Sequence, residues 1–91
     1  MTLRYARHPD LRLTALEGEG VALHLGTRRY YTVNESGLDV LEALAEPKTL
    51  PELVAVLTAK YDVTAEQAET TTREFLARGL RTGTLTEEDA P

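Results

Sequence analysis

With 91 residues, 42% of them hydrophobic and 27% charged, the chain has room for one domain with a small core, and it is too apolar to be disordered throughout. The absence of cysteine excludes disulfides, thiolate metal sites and cysteine nucleophiles. No apolar run reaches the ~18–20 residues of a membrane span, and Met1–Pro9 lacks the apolar stretch of a signal peptide, so the expectation is a cytoplasmic protein away from membranes.

The net charge of −5 is unevenly spread. Residues 1–33 carry Arg4, Arg7, Arg12, Arg28 and Arg29 against Asp10, Glu17 and Glu19, a net +2, whereas residues 34–91 carry a net −7. Phosphate neutralisation needs clustered Lys and Arg, so this balance speaks against a nucleic-acid partner, while a local basic strip still suits an acidic peptide.

Residues 1–10 read as an N-terminal arm. Leu11–Leu16 alternates with period two and predicts a first strand, and Gly18-Glu19-Gly20 predicts a turn. Val21–Leu25 alternates again, with Val21, Leu23 and Leu25 expected on the buried face and His24 on the solvated one. Gly26-Thr27 suits a two-residue type II′ hairpin, because glycine takes the positive φ. Arg28–Val33, aromatic and β-branched, predicts a third strand and completes an antiparallel meander.

Helices follow. Asn34 caps the first, whose apolar positions are Leu38, Leu41, Leu44 and Ala45, and Glu46-Pro47 ends it. Thr49-Leu50-Pro51-Glu52 is a capping box that opens the second, which buries Leu50, Leu53, Val54, Leu57 and Tyr61. Thr64-Ala65-Glu66-Gln67 is another, and the third helix has the stripe Ala68, Thr72, Phe75, Leu76 and Leu80, with Gly83 a better stop than Gly79. Residues 87–91 read as a disordered acidic tail. The sum is α+β: a three-stranded antiparallel meander with one face covered by three helices.

Catalytic chemistry is hard to assemble from this chain. His8 falls in the arm and His24 on a polar strand face, and the lone serine, Ser36, falls in a first helical turn. A Ser36–His24 dyad lacks supporting groups, and two histidines without a carboxylate at ligand spacing make a weak metal signal. No catalytic residue, metal or cofactor is assigned. Gly18-Glu19-Gly20 lacks the Lys-Ser/Thr of a phosphate loop. Glu69 and Arg73 are spaced as a solvated helix pair.

The third strand stands apart. Arg28-Arg29-Tyr30-Tyr31 groups two guanidiniums with two rings in a chain that holds only four Tyr and one Phe. Tyr and Arg are enriched where proteins bind other chains, and in a simple meander this strand is a sheet edge able to pair with an added peptide. In the other reading Tyr31 and Val33 belong to the core, Tyr30 is surface, and the arginines blunt the edge against aggregation.

Over residues 11–86 the chain resembles the PqqD-like peptide-recognition domains, or RiPP recognition elements. The resemblance is carried by Tyr30-Tyr31-Thr32-Val33-Asn34-Glu35-Ser36-Gly37, Val40-Leu41, Thr49 with Glu52-Leu53, Leu57, Tyr61-Asp62-Val63, and Phe75-Leu76 followed by Gly83. Gly79 and Thr84 depart from it, since the family has large apolar residues there, and Leu80 is the expected substitute. The resemblance implies a winged-helix-like fold without catalysis. It implies binding of a precursor leader peptide as a strand added to the third strand, beside the third helix. The stand-alone length resembles the form found in lasso-peptide pathways, whose partners are a leader peptidase and a macrocyclase. The expected peptide site is Arg28, Arg29, Tyr30, Tyr31, Thr32 and Val33 on the strand with Glu69, Thr72, Arg73, Leu76 and Leu80 on the helix. The opposite helix flank is Thr71, Glu74 and Arg78.

Two other classes compete. The helical half reads also as the helix-turn-helix of a winged-helix DNA-binding regulator, although Glu66, Glu69 and Glu74 offset Arg73, Arg78 and Arg81 on the candidate recognition helix. A structural dimer joined through the free edge strand is the third class, and the sequence leaves the oligomeric state open.

Overall fold

The computed structural model describes residues 2–90 of the chain and the side chains of residues 2–89. In chain order the elements are β1 (Thr2–Arg7), β2 (Leu11–Leu16), β3 (Glu19–His24), β4 (Arg29–Asn34), α1 (Glu35–Ala43), α2 (Leu50–Lys60), α3 (Ala65–Thr82) and β5 (Leu85–Ala90). The meander is ordered β2-β3-β4, so the strand read third in the sequence is β4 and lies at a sheet edge.

The ends of the chain are the first correction. Residues expected as an arm and an acidic tail pair with each other as the antiparallel ribbon β1–β5; Met1 and Pro91 lie outside the described residues. Arg4 stands opposite Glu88 and Tyr5 opposite Glu87, so acidic residues that repel one another in isolation gain basic and aromatic cross-strand neighbours. The ribbon is held to the body by Tyr5, whose N–H donates to Lys48 O at 2.8 Å while Lys48 N–H donates to Tyr5 O at 3.0 Å, and by the buried Leu85.

The second correction is the parity of β3. Gly20, Ala22 and His24 face the helices, and Leu23 and Leu25 are exposed. The small residues explain the choice: a Cβ on Gly20 would come within 2.7 Å of Leu38 Cδ1 and 3.1 Å of Val33 Cγ2, so α1 sits directly on this strand. An alternation of large apolar residues pointed the wrong way because close approach of the helix layer selects small side chains at the contact.

Both hairpin loops also differ from expectation. The β2–β3 loop is Glu17-Gly18, with Gly18 at φ 74°, while Glu19 and Gly20 belong to the strand. The β3–β4 loop is Leu25–Arg28, closing on the His24–Arg29 pair, and its left-handed residue is Arg28 at φ 61° rather than Gly26. The loop is shaped by His24, whose Nδ1 accepts the Thr27 N–H at 3.2 Å and whose backbone O accepts the Arg28 N–H at 2.7 Å.

The helices start where their caps predict. Asn34 Oδ1 accepts the Gly37 N–H, and both capping boxes, Thr49–Glu52 and Thr64–Gln67, are reciprocal. Gly83 ends α3 in the left-handed conformation at φ 80°. The core joins Leu11 and Ala22 of the sheet to Val40, Leu41 and Leu44 of α1, Leu53 and Leu57 of α2, Ala68 and Leu76 of α3, and Leu85. Leu85, not Leu80, occupies the space above Gly79, where a Cβ would lie 2.5 Å from Leu85 Cγ. Thr84 is buried beside it and its hydroxyl donates to Gly79 O at 3.3 Å, so a polar residue is satisfied where the pattern suggested an apolar one.

Candidate functional site

Strand β4 is an edge of the meander, and its phase decides which of its backbone groups are open. The Leu16–Glu19 pair closes a two-residue loop, and the Leu25 N–H donates to Asp10 O at 3.0 Å, so the odd-numbered residues of β3 bond toward β2. Antiparallel bonding alternates, so Gly20, Ala22 and His24 bond toward β4, to Val33, Tyr31 and Arg29. The N–H and C=O of Tyr30 and Thr32 therefore point away from the sheet. Their side chains lie on the solvent face, where Tyr30 is 71% exposed, while Tyr31 and Val33 are half-buried on the helix face.

Between this edge and α3 runs a groove with two cavities. One of about 250 Å³ lies by Val33, Gly37, Thr71, Glu74, Phe75 and Arg78. The other, about 350 Å³, lies by Tyr30, Tyr31, Phe75, Gly79, Thr82 and Thr84. Thr32, Val33, Phe75 and Arg78 line both, making one continuous trough between β4 and α3, with Glu74 added on the α3 side of the first cavity.

The structure brings Tyr30, Tyr31, Thr32, Val33 and Thr72 of the expected site to this trough and leaves the others outside it. Arg28 sits in the hairpin loop and Arg29 at its closing pair. The helix flank is reversed. Ala68, Thr72, Leu76 and Gly79 are the buried centre of α3, and Phe75, Thr71, Thr82 and Arg78 fall to the side that meets β4. Glu69, Arg73 and Leu80 fall to the other side at about 100° per residue. Glu69 and Arg73 pair there in solvent at 3.5 Å, Leu80 packs against the core, and Leu76 is buried within it. Thr72 is fully buried and its hydroxyl donates to Ala68 O at 2.7 Å, so it supports the wall and offers no free hydroxyl. Phe75, which the sequence places in the core stripe, packs against the core and, half-buried between Gly37 and β4, also lines the trough, a position that depends on the packing of α1 and is not legible in the sequence.

The groove's neighbours are fixed by charge. Asp39 on α1 accepts from the Tyr61 hydroxyl and from Lys60 Nζ, the latter at 3.0 Å, and Glu35 lies 3.4 Å from the same ammonium. The hydrogen bond to the Asp39 carboxylate pushes the Tyr61 phenol up to about 12, and the same carboxylate raises Lys60. This cluster ties the start of α1 to the end of α2. The histidines and Ser36 form no dyad. Ser36 Oγ donates to Asn34 Oδ1, at the opposite end of β4 from His24. His24 is buried, contrary to the solvated position expected of it, and its ring lies 4.5 Å from that of His8. His8 in turn is held by its N–H to Thr84 O and accepts the Asp10 N–H at Nδ1, so both rings serve the junction of ribbon and meander.

Residues 19–85, from β3 to the first residue of β5, match the family model of coenzyme PQQ synthesis protein D, PqqD. The chain belongs to the PqqD family. No curated protein matches it. Two solved structures do. One, TbiB1 in complex with the TbiA(beta) leader peptide, is similar with a TM-score of 0.82 and 26% identity over 94% of this chain and 99% of that one. The other, a lasso peptide synthetase B1 complexed with the leader peptide, has a TM-score of 0.77 and 16% identity over 90% and 96% of the two chains. The PqqD match begins after β2, yet the likeness to TbiB1 spans nearly the whole chain. Among the described residues of this PqqD-family chain, no helix is long and apolar enough to cross a membrane.

Proposed function

We propose that the chain is a non-catalytic recognition domain that binds the leader segment of a ribosomally synthesised precursor peptide. The leader adds as a strand to the open edge of β4 and lays alternate side chains into the trough against α3. The observation that carries this reading is the coincidence of an outward-facing strand edge with a trough alongside it that Tyr31, Val33 and Phe75 help to line, in a chain similar to two proteins solved with leader peptides. Backbone pairing supplies affinity with little dependence on sequence, and the trough supplies specificity through alternate positions of the added strand. Ordering a free leader costs about 2–5 kcal/mol, which burial of apolar anchors on Phe75, Val33 and Tyr31 must offset. The site residues of this reading are Tyr30, Tyr31, Thr32 and Val33 with Thr71, Glu74, Phe75 and Arg78.

The domain hands the leader to separate enzymes, a leader peptidase and a macrocyclase, in lasso-peptide biosynthesis, and it works in the cytoplasm, where the precursor leaves the ribosome. Nothing observed favours the DNA-binding alternative: the first turn of α3, which would approach phosphate, carries Glu66. The test is fluorescence anisotropy with fluorescein-labelled synthetic leaders of the candidate precursor peptides of this chain's own genome. Saturable binding that depends on β4 is expected. A sequence-specific DNA complex tighter than micromolar, with no leader binding, would replace this reading by the regulator.

A further inference from the structure

The two flanks of α3 use the same charge spacing differently. Glu69 and Arg73, on the flank away from β4, pair at 3.5 Å. Glu74 and Arg78 have the same spacing and order on the trough flank, yet they form no ion pair. Among the described residues, no carboxylate lies within ion-pair distance of Arg78. Arg78 nevertheless lines both cavities of the trough, beside Thr32, Val33 and Phe75. Glu74 lines only the cavity toward α1. The trough therefore runs from a carboxylate at its α1 end to a guanidinium near its middle. Its hairpin end, past Tyr30, adds the exposed Arg28 and Arg29, and Arg29 shares the face parity of Tyr31 and Val33. This basic end stands out in a chain whose net charge is −5.

We infer that Arg78 sets the charge specificity of the peptide site. It pairs with the carboxylate of one Asp or Glu of the bound peptide, on the residue opposite Tyr31, while Glu74 excludes a carboxylate from the residue opposite Val33. The inference rests on the leader-binding reading and deepens it. Residues opposite each other on paired strands share a face, so the two peptide residues opposite Tyr31 and Val33 turn their side chains to the helix side, into the trough. Tyr31 lines the cavity that Glu74 does not reach, and Glu74 lines the one toward α1. Backbone pairing is the same in every register, and a two-residue slip keeps each side chain on its own face. Such a slip moves a side chain about 7 Å along the strand. Toward α1, it carries the carboxylate from Arg78 to Glu74 and turns attraction into repulsion. The order of charges along the trough thus selects a register that the hydrogen bonds leave open. Charges placed in this way discriminate between peptides more than they add affinity.

The experiment uses the same labelled leaders, with each Asp and Glu replaced in turn by Lys, against the parent chain, Arg78→Glu and Arg78→Gln. Arg78 is exposed, so both variants should keep the parent's helix content and melting temperature. One acidic position of the leader is expected to respond. Its Lys form should bind the parent about five-fold more weakly, the upper end for a solvent-exposed ion pair, and should bind Arg78→Glu more tightly than the natural leader does. Arg78→Gln should distinguish the two leaders by less than about two-fold, because the coupling is lost with the charge. Arg73→Glu, on the opposite flank, should keep the parent's preference. If Arg78→Glu and Arg78→Gln keep the parent's preference at every acidic position, while Thr32→Pro weakens binding, the charge reading is overturned and strand addition stands. A leader that binds the parent equally well with all its Asp and Glu replaced by Lys has the same consequence. If no leader binds the parent, the leader-binding reading falls and this inference with it. Should Arg78→Glu lose helix content, Arg78→Gln, which keeps a long polar side chain, decides between the outcomes.

Discussion

Proline substitution along β4 separates strand addition from every other way of holding a peptide. Proline removes one N–H, and the phase of β4 assigns each N–H to one side. At Tyr30 and Thr32 the lost donor points to the open edge, so the ladder to β3 is untouched. One donor contributes about 0.5–1.5 kcal/mol net, so Thr32→Pro should raise the Kd by about 2- to 13-fold, and Tyr30→Pro with Thr32→Pro by about 5- to 150-fold. At Tyr31 the lost donor belongs to the bond with Ala22, a residue only 2% exposed. Leaving that carbonyl unpaired costs about 1–3 kcal/mol, and at about 4–8 °C of Tm per kcal/mol in a domain of this size, Tyr31→Pro should show a clear fall in melting temperature. Differential scanning fluorimetry and anisotropy on the same preparations give both numbers. The expected result is alternation, with affinity falling at Tyr30 and Thr32 and stability falling at Arg29, Tyr31 and Val33. If Thr32→Pro and Tyr30→Pro fold and bind like the parent, the peptide is held elsewhere; if the two effects exchange positions, the phase is wrong.

Other outcomes follow from the same geometry. Thr71→Asp and Arg78→Asp, on the α3 flank that lines the trough, should weaken leader binding several-fold, whereas Arg73→Asp, on the opposite flank, should leave anisotropy titrations unchanged. Gly79→Ala places a Cβ against Leu85 and should lower Tm, an overpacking penalty of about 1–3 kcal/mol, and Leu85→Ala in the same chain should cost less than the two changes summed. The Thr49 N–H and hydroxyl hold the Glu52 carboxyl below its ordinary 4.5, so the stability it contributes is full above that value and is lost as pH falls through the lower folded one. Thr49→Ala should lower Tm at pH 7 by about 4–8 °C, the effect of losing a cap, and flatten the fall in Tm below about pH 4.5.

The fold was legible wherever a local rule was enough. The Asn34, Thr49 and Thr64 caps and the Gly83 stop act within one turn of chain, and each stands as read. The edge position of β4 was legible too, because a meander of short hairpins leaves its last strand open. What local reading missed depends on distant partners. The β1–β5 ribbon needs both ends of the chain together, and neither Thr2–Arg7 nor the acidic run that follows Leu85 announces a strand alone. The face of β3 turns on how closely α1 approaches Gly20, and a row of leucines outvotes that in any count of alternation. The α3 flank was misread for a related reason. Leu76 and Leu80 are the larger apolar residues of the stripe, yet Leu76 is used by the core and Leu80 faces away from β4. The trough is instead lined by Phe75 and by polar residues, Thr71, Glu74 and Arg78, whose role depends on where α3 lies against the sheet.

Strand addition itself is most directly read from the backbone amides of β4 by hydrogen exchange with and without the leader. In the free protein Tyr30 and Thr32 point to solvent and should exchange quickly, while Tyr31 and Val33, bonded to β3, should be protected. On saturation with the leader, protection should rise by at least about ten-fold at Tyr30 and Thr32 and change far less at Tyr31, as expected if new bonds form on the outward side alone. Tight leader binding with Tyr30 and Thr32 exchanging as fast as in the free protein would contradict the account.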